Sequence, residues 1–224
     1  MKRSHIAAVI IFIFIFLFSL NGCNTAENKE TAAAGENNGN TRESYLEEDH
    51  EAAVLGGGCF WSMEASFSQL KGVRDAEAGY AGGDRENPTY EEVSSKQTGH
   101  AEVVKVVFDP DIISYEKLLE VFFYIHDPTT LNRQGNDIGE QYRSIILYTD
   151  PLQEETARDY IEKLEEEGVF TDPIVTQVEP LESYYSAEDY HQEYYENNPD
   201  QPYCSVVVGP KVEKFEEKFA DLIK

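Results

Sequence analysis

Residues 52–67 read AAVLGGGCFWSMEASF. Ala52–Leu55 is a short apolar run ending on three glycines, the pattern of a strand entering a tight turn. Beyond Cys59 the large apolar residues fall at Phe60, Met63, Phe67 and Leu70. Those spacings of three and four mark one face of a helix, which Lys71-Gly72 closes. The stretch is therefore a strand, a turn and a helix with a thiol at the corner. Such a corner puts the Cys59 side chain at a helix N-terminus, where unpaired amides and the helix dipole favour a thiolate. The plainer alternative is a buried structural cysteine in a tight connection. Trp61, the chain's only tryptophan, lies off the helical stripe. With Phe60 it makes an apolar wall beside the thiol, suited to a small group such as a methyl.

Working outward, Ala76–Tyr80 reads as a strand, and Gly, Asn and Pro punctuate the loop over residues 81–88. Ala101–Phe108, AEVVKVVF, is the clearest strand. Lys105 lies on one of its two alternating faces, so the other, with Glu102, Val104, Val106 and Phe108, is the more buried. A carboxyl on that face loses hydration, which raises its pKa. A carboxylic acid neutral at pH 7 can donate a proton. Against this stands an end-of-strand glutamate reaching solvent. Further along, Ser114–Ile125 predicts a helix, Ser144–Tyr148 a strand and Leu152–Glu167 an amphipathic helix stopped by Gly168. Ile174–Val178 predicts a strand, Ala187–Glu196 a helix, Ser205–Val208 a short strand and Val212–Ile223 a final helix. Strands and helices mix without a regular βαβ rhythm, which makes the class α+β with a central mixed β-sheet.

The first residues follow a different logic. Lys2 and Arg3 precede the apolar run Ile6–Leu20, and LNGC follows at 20–23. This has the form of a signal peptide, residues 1–22, cleaved before a lipid-bearing Cys23; an uncleaved anchor is the alternative. Either places the domain outside the cytoplasm, tethered to a bacterial membrane. Residues 23–51 are rich in Asn, Glu, Thr, Ala and Gly, too poor in large apolar residues to offset the entropy of ordering, and read as a flexible linker. The folded domain is then 52–224. The 224-residue chain carries 18 Lys+Arg against 43 Asp+Glu, formally −25. Such a surface repels phosphate backbones and argues against nucleic-acid binding. Three cysteines without a CxxC do not make a disulfide framework, and no closely spaced Cys or His pair suggests a metal site.

The remaining polar candidates are Asn136, Asp137, Gln141 and Tyr142 in the loop before Ser144, together with Tyr90, Tyr190, His191, Tyr194 and Tyr195. Turn chemistry or an amphipathic surface would account for them equally well.

Taken in order, GGGCFWSME (56–64), NPTYEEV (87–93), TGHAEVVKVVFDP (98–110), HDPTTLNRQGNDIGEQYRS (126–144) and AEDYHQEYYENNP (187–199) resemble the A-type peptide methionine sulfoxide reductases. The likeness runs from about Val54 to about Cys204. It implies a ferredoxin-like two-layer core and reduction of the S epimer of methionine sulfoxide in peptides and proteins. It implies Cys59 as nucleophile and Glu102 as the acid that protonates the sulfoxide oxygen, with Tyr90 and Tyr142 as hydroxyl donors. Phe60 and Trp61 become the methyl pocket, and Asp137, His191 and Tyr194 further substrate-binding positions. Attack leaves a Cys59 sulfenic acid, which a second thiol must reduce. No cofactor is implied beyond an external thiol, thioredoxin-like or a small dithiol, and the enzyme is expected to be a monomer. Many members hold a resolving cysteine in a glycine-rich tail; here Cys204 is followed by the β-branched Val206–Val208, so the resemblance leaves open whether Cys204 resolves. Ser62 and Ser94 also depart from common residues. A thiol–disulfide oxidoreductase, which would want a CxxC, and a ligand-binding lipoprotein with an inert Cys59 are the alternatives.

Overall fold

The computed structural model of the chain describes residues 50–224. The expected signal peptide, Cys23 and the expected linker up to residue 49 lie outside the described residues. Strand β1 (Glu51–Gly57) leads through Gly58 and Cys59 into helix α1 (Phe60–Phe67). Then follow β2 (Val73–Ala81), the short helix α2 (Tyr90–Ser94), β3 (Ala101–Phe108) and α3 (Tyr115–Ile125). A two-residue hairpin, β4 (Arg133–Gln134) and β5 (Asp137–Ile138), precedes β6 (Ser144–Tyr148) and α4 (Pro151–Glu166). The chain ends through β7 (Gln177–Pro180), β8 (Tyr184–Ser186), α5 (Tyr194–Asn197) and α6 (Gly209–Lys218).

The six-stranded sheet has the order β7-β6-β1-β3-β2-β8. All pairs are antiparallel except β6 with β7. β1, α1, β2, β3, α3 and β6 thus form the split β-α-β arrangement of ferredoxin-like folds, with β3 between β1 and β2. One sheet face carries the main core: Leu55, Val104, Val106 and Phe108 against Phe60, Met63 and Phe67 of α1 and Leu118, Leu119 and Phe122 of α3. The other carries a smaller cluster of Val54, Ala101, Val103, Ile145 and Leu147. Glu102 lies on the main-core side, as its strand pattern predicts, and is 2% exposed.

Helix caps agree with the local sequence. Thr89 and Glu92 form a reciprocal capping box on α2. Ser114 caps α3, and Asp150 caps α4 ahead of Pro151.

Four expectations are corrected. The strand predicted at Ile174–Val178 forms later, at Gln177–Pro180. The Ile174 amide instead donates to Glu165 Oε1, and the Val175 amide to the Pro128 carbonyl. Between 187 and 196 the helix is broken into a 3₁₀ turn (Asp189–His191) and α5, because the Gln192 side chain bonds both backbone groups of Ala78. Ser205–Val208 is not a strand. Cys204–Val208 is one π-helical stretch running straight into α6, with Cys204 and Val208 buried and Ser205 and Val206 exposed. Burial four residues apart is helical, and the segment runs on into α6 instead of pairing with a strand. The final helix stops at Lys218, and Ile223 then bridges back to Leu70.

Candidate active site

The glycines ahead of Cys59 are demanded by what lies behind them. A Cβ on Gly57 would meet the His126 ring at 2.8 Å, and Gly58, at φ +98°, would meet Gln134 Cγ at 2.6 Å. His126 is itself locked: its Nδ1 lies 2.6 Å from the Phe122 carbonyl, its Nε2 2.7 Å from Ser144 Oγ, and Ser144 Oγ 2.7 Å from Thr176 Oγ1. The carbonyl can only accept, so Nδ1 carries the proton and Nε2 accepts from Ser144. Burial pushes the ring's pKa down to about 4, keeping it neutral.

Cys59 is the N-cap of α1 and is 6% exposed. Two amides at this terminus divide between two acids. The Phe60 amide donates to Glu102 Oε2 at 3.1 Å, and the Trp61 amide bonds the Cys59 sulfur. Burial pushes the Glu102 carboxyl up to about 8, the nearby Asp137 charge adds to this, and the Phe60 amide opposes it. The sequence-based expectation of a resting thiolate is corrected here. Burial, then the Glu102 charge, push the Cys59 thiol well above its ordinary value. The Trp61 amide and a hydrogen bond with Tyr203 pull the other way without overcoming them. The resting pair is thus a neutral thiol beside a carboxyl that holds its proton at pH 7.

Around this pair the structure brings together Tyr90, Tyr142, Phe60, Trp61, Asp137, His191 and Tyr194, whereas Tyr195 packs beside Gly209. Tyr90 and Tyr142 both lie within the electrostatic reach of Glu102 and Cys59, and burial pushes both phenols up. Phe60 packs on His191 at 5.1 Å between ring centroids, and Tyr90 on His191 at 4.5 Å. Trp61 is held twice: its Nε1 donates to His191 Nδ1 at 3.2 Å, and Tyr194 stacks on its face at 3.9 Å and 11°. Since Trp61 can only donate, neutral His191 carries its proton on Nε2. Asp137 accepts from the Tyr203 hydroxyl at 2.6 Å.

Tyr203 escaped the sequence reading. It bonds Cys59 and Asp137 and meets Trp61 edge-on at 5.9 Å. Its one visible signal was its place directly before Cys204. Cys204 is fully buried within the π-helical stretch, and both it and Cys59 are free thiols. Among the described residues no acidic, His or Cys cluster could hold a metal ion, and no helix is long and apolar enough to cross a membrane.

Known proteins are similar to this chain over the described domain. The chain is 56% identical over 171 residues to the peptide methionine sulfoxide reductase MsrA of Natronomonas pharaonis, covering 76% of this chain and 96% of that protein. It is 58% identical over 163 residues to the MsrA of Nautilia profundicola, covering 73% and 92%. Among solved structures, reduced Mxr1 from Saccharomyces cerevisiae superposes with a TM-score of 0.64 at 32% identity, covering 70% of this chain and 90% of that one. Methionine sulfoxide reductase A of Corynebacterium diphtheriae gives 0.62 at 38%, covering 69% and 77%. The family profile of peptide methionine sulfoxide reductases matches residues 51–223, and the chain belongs to that family.

Proposed function

We propose that this protein reduces the S epimer of methionine sulfoxide in peptides and proteins to methionine, repairing them after oxidation. One observation carries the reading: a buried thiol and a carboxyl that keeps its proton to about pH 8 share the terminus of α1. A sulfoxide oxygen leaves only when protonated. Glu102 supplies that proton while the Cys59 sulfur attacks the sulfoxide sulfur. The S–O bond breaks, the oxygen passes to Cys59 as a sulfenic acid, and methionine departs. The thiol proton replaces the one Glu102 gave, so the step is balanced. The positive charge that develops on the protonated substrate sulfur favours the Cys59 thiolate, against burial and the new Glu102 charge. Tyr90 and Tyr142 are the hydroxyl donors to that oxygen. Phe60 and Trp61, backed by His191 and Tyr194, hold the methyl group, and Asp137, which holds the Tyr203 hydroxyl, lies beside the substrate.

A second thiol condenses with the sulfenic acid, releasing water and leaving a disulfide. Cys204 is that thiol after local rearrangement, and a thioredoxin-like protein or small dithiol then reduces the disulfide; no prosthetic group takes part. The sequence pattern at 1–23 supports a lipoprotein anchored through Cys23 and acting outside the cytoplasm, where surface methionines meet oxidants first. We take it to act as a monomer.

The test is to incubate the purified protein with each epimer of a methionine sulfoxide peptide and a dithiol, counting methionine formed. Product from the S epimer alone, abolished by Cys59→Ser, is expected. No product, or turnover retained by Cys59→Ser, would overturn the reading.

A further inference from the structure

Helix α1 carries a buried carboxyl of its own, Glu64, one turn beyond Phe60 and 1% exposed. Its Oε2 accepts the backbone amide of Glu193 at 2.9 Å. Glu193 is no ordinary partner. Its backbone lies in the left-handed region, at φ 52° and ψ 31°, which a residue with a side chain adopts only when its surroundings hold it there. Burial pushes the Glu64 carboxyl up to about 7, the Glu193 amide opposing, so the group is kept here against the cost of losing water.

What this bond holds is the turn from His191 to Tyr194. Both ends of that turn grip Trp61: His191 accepts its indole N–H, and Tyr194 covers its face. In between, Gln192 ties the turn to Ala78 of β2. Glu64 ties it to α1, the helix that carries both Trp61 and, at its N-cap, Cys59. Without the Glu64 bond the left-handed residue has no side-chain partner for its amide, and the turn loses one of its ties to α1.

We infer that Glu64 is a positioning residue for the methyl pocket: by holding the Glu193 amide it fixes Tyr194 against Trp61 and so sets the pocket wall relative to the thiol. This rests on reading Trp61 as that wall, so the experiment has an arm independent of activity. Trp61 is the only tryptophan, and its fluorescence reports the stack directly. The variants are E64Q, which keeps an acceptor, and E64A and E64M, which remove it, the last with its volume retained. E64A and E64M should show red-shifted emission and stronger acrylamide quenching, with E64Q close to wild type. In steady state, E64A or E64M should raise KM for methionine sulfoxide about tenfold with kcat within about twofold, as expected when ground-state and transition-state binding are lost together; E64Q should restore KM. Unchanged emission and quenching in both acceptor-less variants would overturn the inference, as would E64Q failing like E64A, or a loss confined to kcat. If the wild type reduces no sulfoxide, the proposed function fails while the fluorescence arm still decides whether Glu64 holds the stack.

Discussion

The Phe60 amide and the Glu102 carboxyl, 42 residues apart in sequence, meet at 3.1 Å, so the acid is fastened to the helix end whose cap is Cys59. The helix terminus thus spends one amide on the proton donor and one on the nucleophile.

Glu102→Gln keeps an acceptor for the Phe60 amide and loses the proton. We expect kcat/KM to fall by about 10²–10⁴. The wild-type rate should fall as pH rises through about 8, where Glu102 deprotonates, and the residual rate of the variant should lack that limb. A pH–rate profile of both proteins checks this, and an identical alkaline limb in the variant would remove the acid role.

The same substitution should stabilise the fold, with a defined pH signature. The folded carboxyl titrates near 8 against an ordinary 4.5, so between those values the folded state binds more protons than the unfolded. Stability then falls as pH rises through that window. Glu102→Gln removes the penalty. Urea unfolding should show a gain on the order of 3 kcal/mol at pH 8 and little at pH 5.

Cys59 should resist iodoacetamide at neutral pH despite capping a helix, because its thiol holds its proton and is buried. Mass spectrometry of the alkylated protein over time measures this. Fast labelling at pH 7 would mean that the resting sulfur is ionised.

Tyr203→Phe removes the bonds to Cys59 and Asp137 while keeping the ring against Trp61. We expect single-turnover methionine formation to slow roughly tenfold, with KM little changed, the pattern of an interaction made chiefly in the transition state. Rapid-quench measurement of the first turnover separates this from slow regeneration.

For Cys204→Ser, one methionine per enzyme should form without reductant, and repeated turnover with thioredoxin should stop. Unchanged repeated turnover would assign regeneration to an external thiol acting directly on Cys59.

The elements around the catalytic pair were legible because period and chemistry agree there: the α1 stripe and the alternation of β3 each specify one face, and that puts Glu102 under α1. The Ala187–Glu196 segment misled because its helical pattern is local, whereas Gln192 answers to Ala78, more than a hundred residues away. The run Val206–Val208 carries β propensity, but propensity yields to tertiary context, here the burial of Cys204 and Val208 at helical spacing. Tyr203 could not be singled out for the same reason. Nothing in its neighbours says that the returning chain brings its hydroxyl to Asp137. The charge state of Cys59 was misjudged because a helix terminus is visible in sequence and the depth of burial is not.

Tyr203 and Cys204 are consecutive, one facing the reaction centre and the other locked inside a wide helical turn of the kind that recurs at functional sites. The two side chains share one stretch of backbone, so a displacement of Cys204 large enough to reach Cys59 would also carry the phenol off Asp137.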